Sequence, residues 1–377
     1  MIDQLRAALN RRQLLELGGI AAAGAVFEGA AGCSSVVRRD VIAEPTSTRG
    51  LPGPLVEILH DAALAPSSHN SQPWRVVVHD PDHLAIHADL ARTLPEIDPV
   101  GRELRLSLGA FVENLVISAV AGGRACQVDV AADGDLDRPV ADVRFSPCPR
   151  AAYPLDRLRQ RCTVRSGLRS TALPRELVAR LLDADHGAVH FVPGQGAVAA
   201  SIREATIDAF RQQTADDSAQ RELARWMHFS NDAVRGHRDG LTPASMGITG
   251  LAGWFVRNFY DEDDVMKPRF RRRSIELTSR QACEAGGWFI VTSPDELPGS
   301  VLDAGRRYQR LALLAREHGV GLHPMSQALE EDPYRAQLVG RLGVAGVPQL
   351  IVRAGLVDAY PEPVTLRRPV NSFVARA

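Results

Sequence analysis

Ala65-Pro66-Ser67-Ser68-His69-Asn70-Ser71-Gln72-Pro73-Trp74-Arg75-Val76 carries more information than any other stretch of this chain. It follows an amphipathic run from Leu55 to Leu64 and leads into the β-branched run Val76 to Val78. It therefore reads as a polar loop joining a helix to a strand. Proline, serine and asparagine gathered in one loop offer hydroxyls, an amide and free backbone N–H groups. Such a set suits a polar cofactor tail or the rim of a heterocyclic ring. The alternative is an Asx or Ser turn that only caps the helix.

The rest of the composition sets broad limits. At 377 residues, 45% hydrophobic and 24% charged, the chain is of ordinary globular type. That length holds two medium domains or one large duplicated one. Lys+Arg 44 against Asp+Glu 45 leaves a formal charge of -1, which gives no global field for nucleic acid. Cys33, Cys126, Cys148, Cys162 and Cys283 are scattered without a C-x-x-C pair, so neither a zinc site nor a disulfide framework is indicated. The 11 histidines show no ligand spacing, and no Ser-His-Asp arrangement is legible, so no metal is expected.

The N-terminus reads as targeting, with a signal segment over residues 1–33 and a linker over 34–52. Arg11-Arg12-Gln13-Leu14-Leu15 is a twin-arginine pair before leucines, and the weakly apolar run Leu17 to Val26 is too short to span a membrane. Ala30-Ala31-Gly32-Cys33 resembles a lipoprotein cleavage box, without Leu three residues before the cysteine. Export by the twin-arginine route to the cell envelope or periplasm is expected, with Cys33 a candidate lipid anchor. A cytoplasmic amphipathic helix is the alternative.

A weak internal repeat divides the body. Gly109 to Gly123 aligns with Gly305 to Gly319, pairing Leu115 with Leu311 and Ala119 with Ala315. Both copies have helical apolar spacing and a glycine stop. Each is expected to be a helix packed at the centre of its own half. Trp74 to Asp82 echoes Trp288 to Asp295, each a strand closing at a Pro-Asp turn.

Polar motifs then sort by half. Arg161-Cys162-Thr163-Val164-Arg165 sets two guanidiniums and a hydroxyl at alternate positions of an extended segment, projecting to one side. That suits a phosphate with its ribityl chain. The first half has only the partial counterpart Ser47-Thr48-Arg49, and the second half has no copy of the Ser/Asn loop. His323-Pro324-Met325-Ser326-Gln327 follows the second helix, and proline with small residues permits close backbone approach to a ring edge. Leu366-Arg367-Arg368-Pro369 adds an arginine pair near the C-terminus.

Together, PSS-x-N-x-Q-P-W at Pro66 to Trp74, R-x-T-x-R at Arg161 to Arg165, His323 to Gln327 and the R-R-P at Arg367 to Pro369 resemble the FMN-dependent nitroreductase superfamily. The likeness spans most of residues 53–377 and is closest to the duplicated Acg-like branch. It implies an α+β nitroreductase fold, duplicated and fused as an intramolecular pseudo-dimer, with halves at 53–155 and 156–377. One complete site per chain follows, holding one FMN. Pro66, Ser67, Ser68 and Asn70 come from the first half; Arg161, Thr163 and Arg165 come from the second. By the same resemblance Pro324, Met325 and Ser326 lie along the isoalloxazine with a backbone N–H toward N5. Arg367 or Arg368 completes the phosphate pocket, and Arg165 is the candidate cation near N1–C2=O.

The chemistry implied is transfer of electrons from NAD(P)H through flavin to a nitroaromatic or quinone-like small molecule. No catalytic side chain is required, and a monomer is the default. Residues 211–280 exceed a minimal nitroreductase and carry aromatics, Asp261 to Asp264 and Arg269 to Arg273; they read as an ordered insertion and a possible lid. A closed lid would favour the rival reading, an FMN-binding or FMN-sequestering protein with little or no reductase activity.

Overall fold

The computed structural model describes residues 36–39, 50–131, 134–183, 185 and 187–377. The twin-arginine pair, Cys33 and Ser47-Thr48-Arg49 lie outside the described residues.

Pro52 precedes α1 (Gly53–Ala63), whose Leu55, Ile58, Leu59 and Ala62 bury one face at helical spacing. After a turn of 3-10 helix (Ser68–Asn70) come β1 (Trp74–Asp80), β2 (His83–Ala88), α2 (Arg102–Ala121), β3 (Arg124–Val130) and β4 (Pro139–Pro147). Then follow α3 (Leu155–Gln160), α4 (Arg175–Asp183), β5 (Val189–Pro193), α5 (Ala197–Ala215), α6 (Asp217–Arg225), α7 (Asn231–His237), α8 (Gly250–Phe259), α9 (Glu262–Val265) and α10 (Pro268–Cys283). The chain closes with β6 (Gly287–Ser293), α11 (Pro298–Glu317), β7 (Val320–Pro324), α12 (Gln327–Glu330), α13 (Asp332–Leu342), β8 (Val347–Leu356), α14 (Val370–Phe373) and β9 (Val374–Arg376).

This is a mixed α+β architecture with two sheets. The first runs β3-β4-β2-β1-β9 and the second β5-β6-β8-β7. Within these two sheets the described strands pair antiparallel except β1 with β9, where Val76 to Val78 pair in parallel with Val374 to Arg376. The last residues of the chain thus complete the first sheet. Trp74 and Trp288 occupy like positions at the starts of β1 and β6, and both are fully buried.

α2 packs under the first sheet and α11 under the second, as their separate apolar clusters show. The two helices also cross each other. A Cβ built at Gly109 would overlap the Leu302 carbonyl, and one at Gly305 would overlap the Leu106 carbonyl. Missing side chains therefore set the backbone approach at both positions. Polar groups line the rest of the seam. Arg306 Nε and Arg310 Nη1 each donate to Glu113 Oε2 at 2.9 Å, and Gln309 Nε2 donates to Asn114 Oδ1 at 2.6 Å.

Helices α6 to α9 and most of α10 fill the segment expected to be an ordered insertion. Asp216 caps α6 and Ser230 caps α7, while Asp261 and Asp264 form a reciprocal capping box at α9.

Candidate functional site

The polar loop after α1 is held in unusual backbone geometry. His69, Asn70 and Gln72 have φ of 50, 52 and 54°, the left-handed region that costs L-residues energy. Its surroundings fix it. Gln72 N donates to Ser67 Oγ at 3.0 Å, and Gln72 Oε1 accepts from Arg368 N at 2.8 Å. Asn70 and Gly240 clasp the loop to the α7–α8 connection. Asn70 Nδ2 donates to the Gly240 carbonyl at 3.1 Å, and Gly240 N donates to the Asn70 carbonyl at 3.2 Å. Strain held by so many partners is characteristic of functional loops.

Two cavities adjoin this loop and share Pro66, Ser67, Thr163, Arg165 and Leu241. The first, about 300 Å³, is cationic, with Arg161, Arg165 and Arg367 in its wall and Arg38 at its rim. Its one lining carboxylate among the described residues is Glu362, whose side chain is 69% exposed and paired with Arg38. Arg161 is only 2% exposed, and its Nε has no partner. Arg39 adds a further guanidinium behind it, donating to the Arg161 carbonyl at 2.8 Å. Burial, and then Arg161, push the Arg39 guanidinium down to about 9. Burial, followed by Arg39 and Arg161, likewise holds Arg367 well below the usual arginine range. A buried cluster of like charges with so little counter-charge is poised to accept an anion.

The second cavity, about 260 Å³, lies between Ser68, Tyr308, Met325 and the insertion, which contributes Gln213 and Gln220, with Gln281 just beyond it on α10. Several buried polar atoms here lack partners: Tyr308 Oη, His69 Nδ1, His323 Nδ1, Gln220 Oε1 and Gln327 Oε1. Such groups ordinarily find hydrogen bonds, so they mark a polar ligand chamber. Burial and then Arg165 lower His69 to about 4, and His323 falls well below the usual histidine range for the same reasons. Both imidazoles are therefore neutral near pH 7.

Pro66, Ser67, Ser68, Asn70, Arg161, Thr163, Arg165, Pro324, Met325, Ser326 and Arg367 line one or both cavities. Arg368 lines neither; its Nη2 donates to the Gln72 and Trp74 carbonyls at 2.7 and 3.1 Å, pinning the loop to β1. The Asn70 amide is also engaged, since its Oδ1 accepts from Arg367 Nη1 at 2.8 Å. Of the two residues expected to aim an N–H at a ring, Met325 has its own committed to the Ile351 carbonyl at 2.8 Å. Sequence reading missed Arg39, Glu103, Tyr308, Glu330 and the insertion's glutamines. Tyr308 alone left a trace, one turn beyond Gly305 on α11. Outside the cavities, His228, His237 and Asp239 also come together, their ligand-type atoms within 4.8 Å of one another. There Asp239 accepts from Arg92 at 2.8 Å and contacts His228 Nε2 at 2.9 Å.

No family model matches the chain. Among curated proteins it is 26% identical over 327 residues to the putative NAD(P)H nitroreductase acg of Mycobacterium tuberculosis, covering 84% of this chain and 94% of that one. It is 24% identical over 321 residues to the probable NAD(P)H nitroreductase PigM of Serratia, covering 80% and 88%. Among solved structures, the FMN-dependent nitroreductase NfnB of Mycobacterium smegmatis in complex with NADPH aligns at 17% identity and a TM-score of 0.34, over 54% of this chain and 90% of that one. A nitroreductase with bound FMN from Desulfitobacterium hafniense aligns at 12% identity and a TM-score of 0.36, over 55% and 91%. Sequence kinship over 84% of the chain supports a nitroreductase-like family for this protein.

Proposed function

We propose that the chain is an FMN-dependent oxidoreductase that takes electrons from NAD(P)H and passes them to a nitroaromatic or quinone-like acceptor. The observation that carries this reading is the cationic cavity with almost no counter-charge, opening beside a chamber of unpaired polar groups. A phosphate with a polyol chain suits the first, and a heterocyclic ring suits the second. Arg161 and Arg367 would hold the phosphate, Ser67 and Thr163 the chain between, and Ser68, Pro324 and Ser326 the ring. Arg165 lines both cavities and would set a positive charge beside the ring, favouring its reduced anionic form. Bound flavin supplies the two-electron chemistry; the protein supplies binding, orientation and exclusion of water.

In this reading the chain is two nitroreductase-like units fused, with one FMN per chain and no partner subunit needed. The crossing of α2 and α11 at Gly109 and Gly305 supports it, as do the matching positions of Trp74 and Trp288. We extend the proposal to export by the twin-arginine route, a path for proteins folded around a cofactor.

One observation favours the rival role of flavin sequestration: Met325 and Ser326 are 1% and 5% exposed, with insertion helices over the chamber. One spectrum separates the two. The chain purified without residues 1–33 is expected to show oxidised flavin bands that bleach under anaerobic NADPH or NADH. Bands that persist would establish sequestration. Bands absent even after incubation with FMN would overturn both readings.

A further inference from the structure

The second cavity carries more carboxyl groups than its neighbours can balance. Glu103 and Glu330 both line it. Glu103 Oε1 accepts from Arg102 Nη2 at 2.8 Å, and its Oε2 accepts from Ser68 Oγ at 2.9 Å, so Glu103 has the partners of an ionised group. Asp98 lies nearby, accepting the Glu103 and Leu104 backbone N–H groups of the first turn of α2 at 3.1 and 2.9 Å. Arg102 Nη1 donates to the Gln349 carbonyl, and Arg105, which also acts on Asp98, donates to the Val100, Gly101 and Gly134 carbonyls. Glu330, the last residue of α12, gains only a neutral donor: Gln213 Nε2 to its Oε2 at 2.8 Å. No other described group bonds Glu330. Both guanidiniums are committed, and of the three carboxyls Glu330 alone is held by neither a guanidinium nor backbone N–H groups, so a retained proton stays there, where compensation is poorest.

We infer that Glu330 stands in the chamber as a neutral carboxylic acid and donates a hydrogen bond to the carbonyl or nitro oxygen of an uncharged aromatic ligand. The inference rests on reading this chamber as the ring site. The buried, unpaired Tyr308 hydroxyl and Gln220 amide oxygen show that the same space is built for a polar ligand. Burial, and then Glu103 and Asp98, raise the Glu330 carboxyl to about 8 against the opposing pull of Arg102 and Gln213. A carboxyl raised in this way is a donor below that pH and an acceptor-only anion above it.

The test uses the chain with flavin bound and no nicotinamide present, so nothing is reduced. Calorimetry measures nitrobenzene binding across pH, with toluene as the probe lacking oxygen. Nitrobenzene affinity is expected to be level around pH 7 and to fall by up to tenfold per pH unit above about 8. Toluene binding should not follow that curve. The neighbouring groups titrate elsewhere: His69 at about 4 and Asp98 at about 6, with Tyr308 raised and Arg165 remaining a cation. Glu222, raised by burial, also faces the chamber, so E222Q serves as the control that should keep the pH dependence. E330Q, which keeps a donor but cannot ionise, should lose the fall in nitrobenzene affinity above about pH 8. Infrared spectroscopy of the native chain should show a protonated carboxyl band at neutral pH that E330Q removes. Level native binding, or pH dependence that survives in E330Q, overturns the inference. Flavin bands retained in the same samples keep that failure apart from failure of the functional reading.

Discussion

Alanine at Arg161 is expected to abolish retention of FMN through purification while leaving the flavin-free chain close to its normal melting temperature. The two effects separate because of what Arg161 touches. Its side chain makes no hydrogen bond or ion pair among the described residues, is 2% exposed and stands among Arg39, Arg165 and Arg367. Removing it relieves like-charge crowding, which offsets lost packing of its stem. An anion in the cavity, however, loses a buried charge-assisted partner. Such truncations cost about 3 kcal/mol, or about two orders of magnitude in Kd. Melting curves with and without added FMN check this, because a ligand at free concentration L stabilises the folded chain by RT ln(1 + L/Kd), which shrinks toward zero as Kd rises above the flavin concentration. The flavin-induced rise in Tm should vanish in R161A. Arg368 gives the opposite pattern: its guanidinium bonds the Gln72 and Trp74 carbonyls, so R368A should lower the flavin-free Tm. If R161A keeps its flavin, the cationic cavity is not the phosphate site.

Arg161 was legible in the sequence because it belongs to a spaced motif. Alternate residues of an extended segment share a side, and Thr163 and Arg165 do meet the loop at Pro66 and Ser67, where the two cavities join. Arg39 was not legible. It lies in a stretch that reads as linker, and only folding brings its guanidinium to the Arg161 carbonyl, 122 positions along the chain. Glu330 and Gln213 were hidden for the same reason. A single carboxyl and a single amide have no period, and their meaning comes from sharing one cavity wall. Arg367 and Arg368 show what adjacency alone leaves open. Both bond the loop, at Asn70 and at Gln72, but successive residues of an extended segment diverge, so only Arg367 lines the cavity. The helix pair was legible as two helices with matching glycines. Their contact with each other was not, because helical periodicity marks a buried face without naming what covers it.

That contact gives the largest expected effect on stability. Glycine inside a helix is ordinarily a weakness, and alanine in its place stabilises by about 1 kcal/mol where space permits. Gly340, exposed in α13 with nothing near its missing Cβ, should behave in this way. Gly109 and Gly305 should behave oppositely. The atoms that a Cβ would overlap there are backbone carbonyls of the facing helix, at Leu302 and Leu106, which no rotamer change can clear. The helices must move apart, and overpacking of a rigid core costs about 3 kcal/mol or more. For a chain of this size that corresponds to a fall of roughly 4 °C or more in Tm. The damage should also reach the site. α2 carries Glu103 and Ser107, α11 carries Tyr308, and all three line the second cavity from either side of the crossing. G305A is therefore expected to weaken flavin binding without touching any group that would contact the phosphate. Thermal melts of G109A, G305A and G340A side by side decide the matter. A stabilising G305A would mean that the helix crossing yields freely, and the close approach of α2 to α11 would no longer explain how Glu103, Ser107 and Tyr308 come to line one cavity.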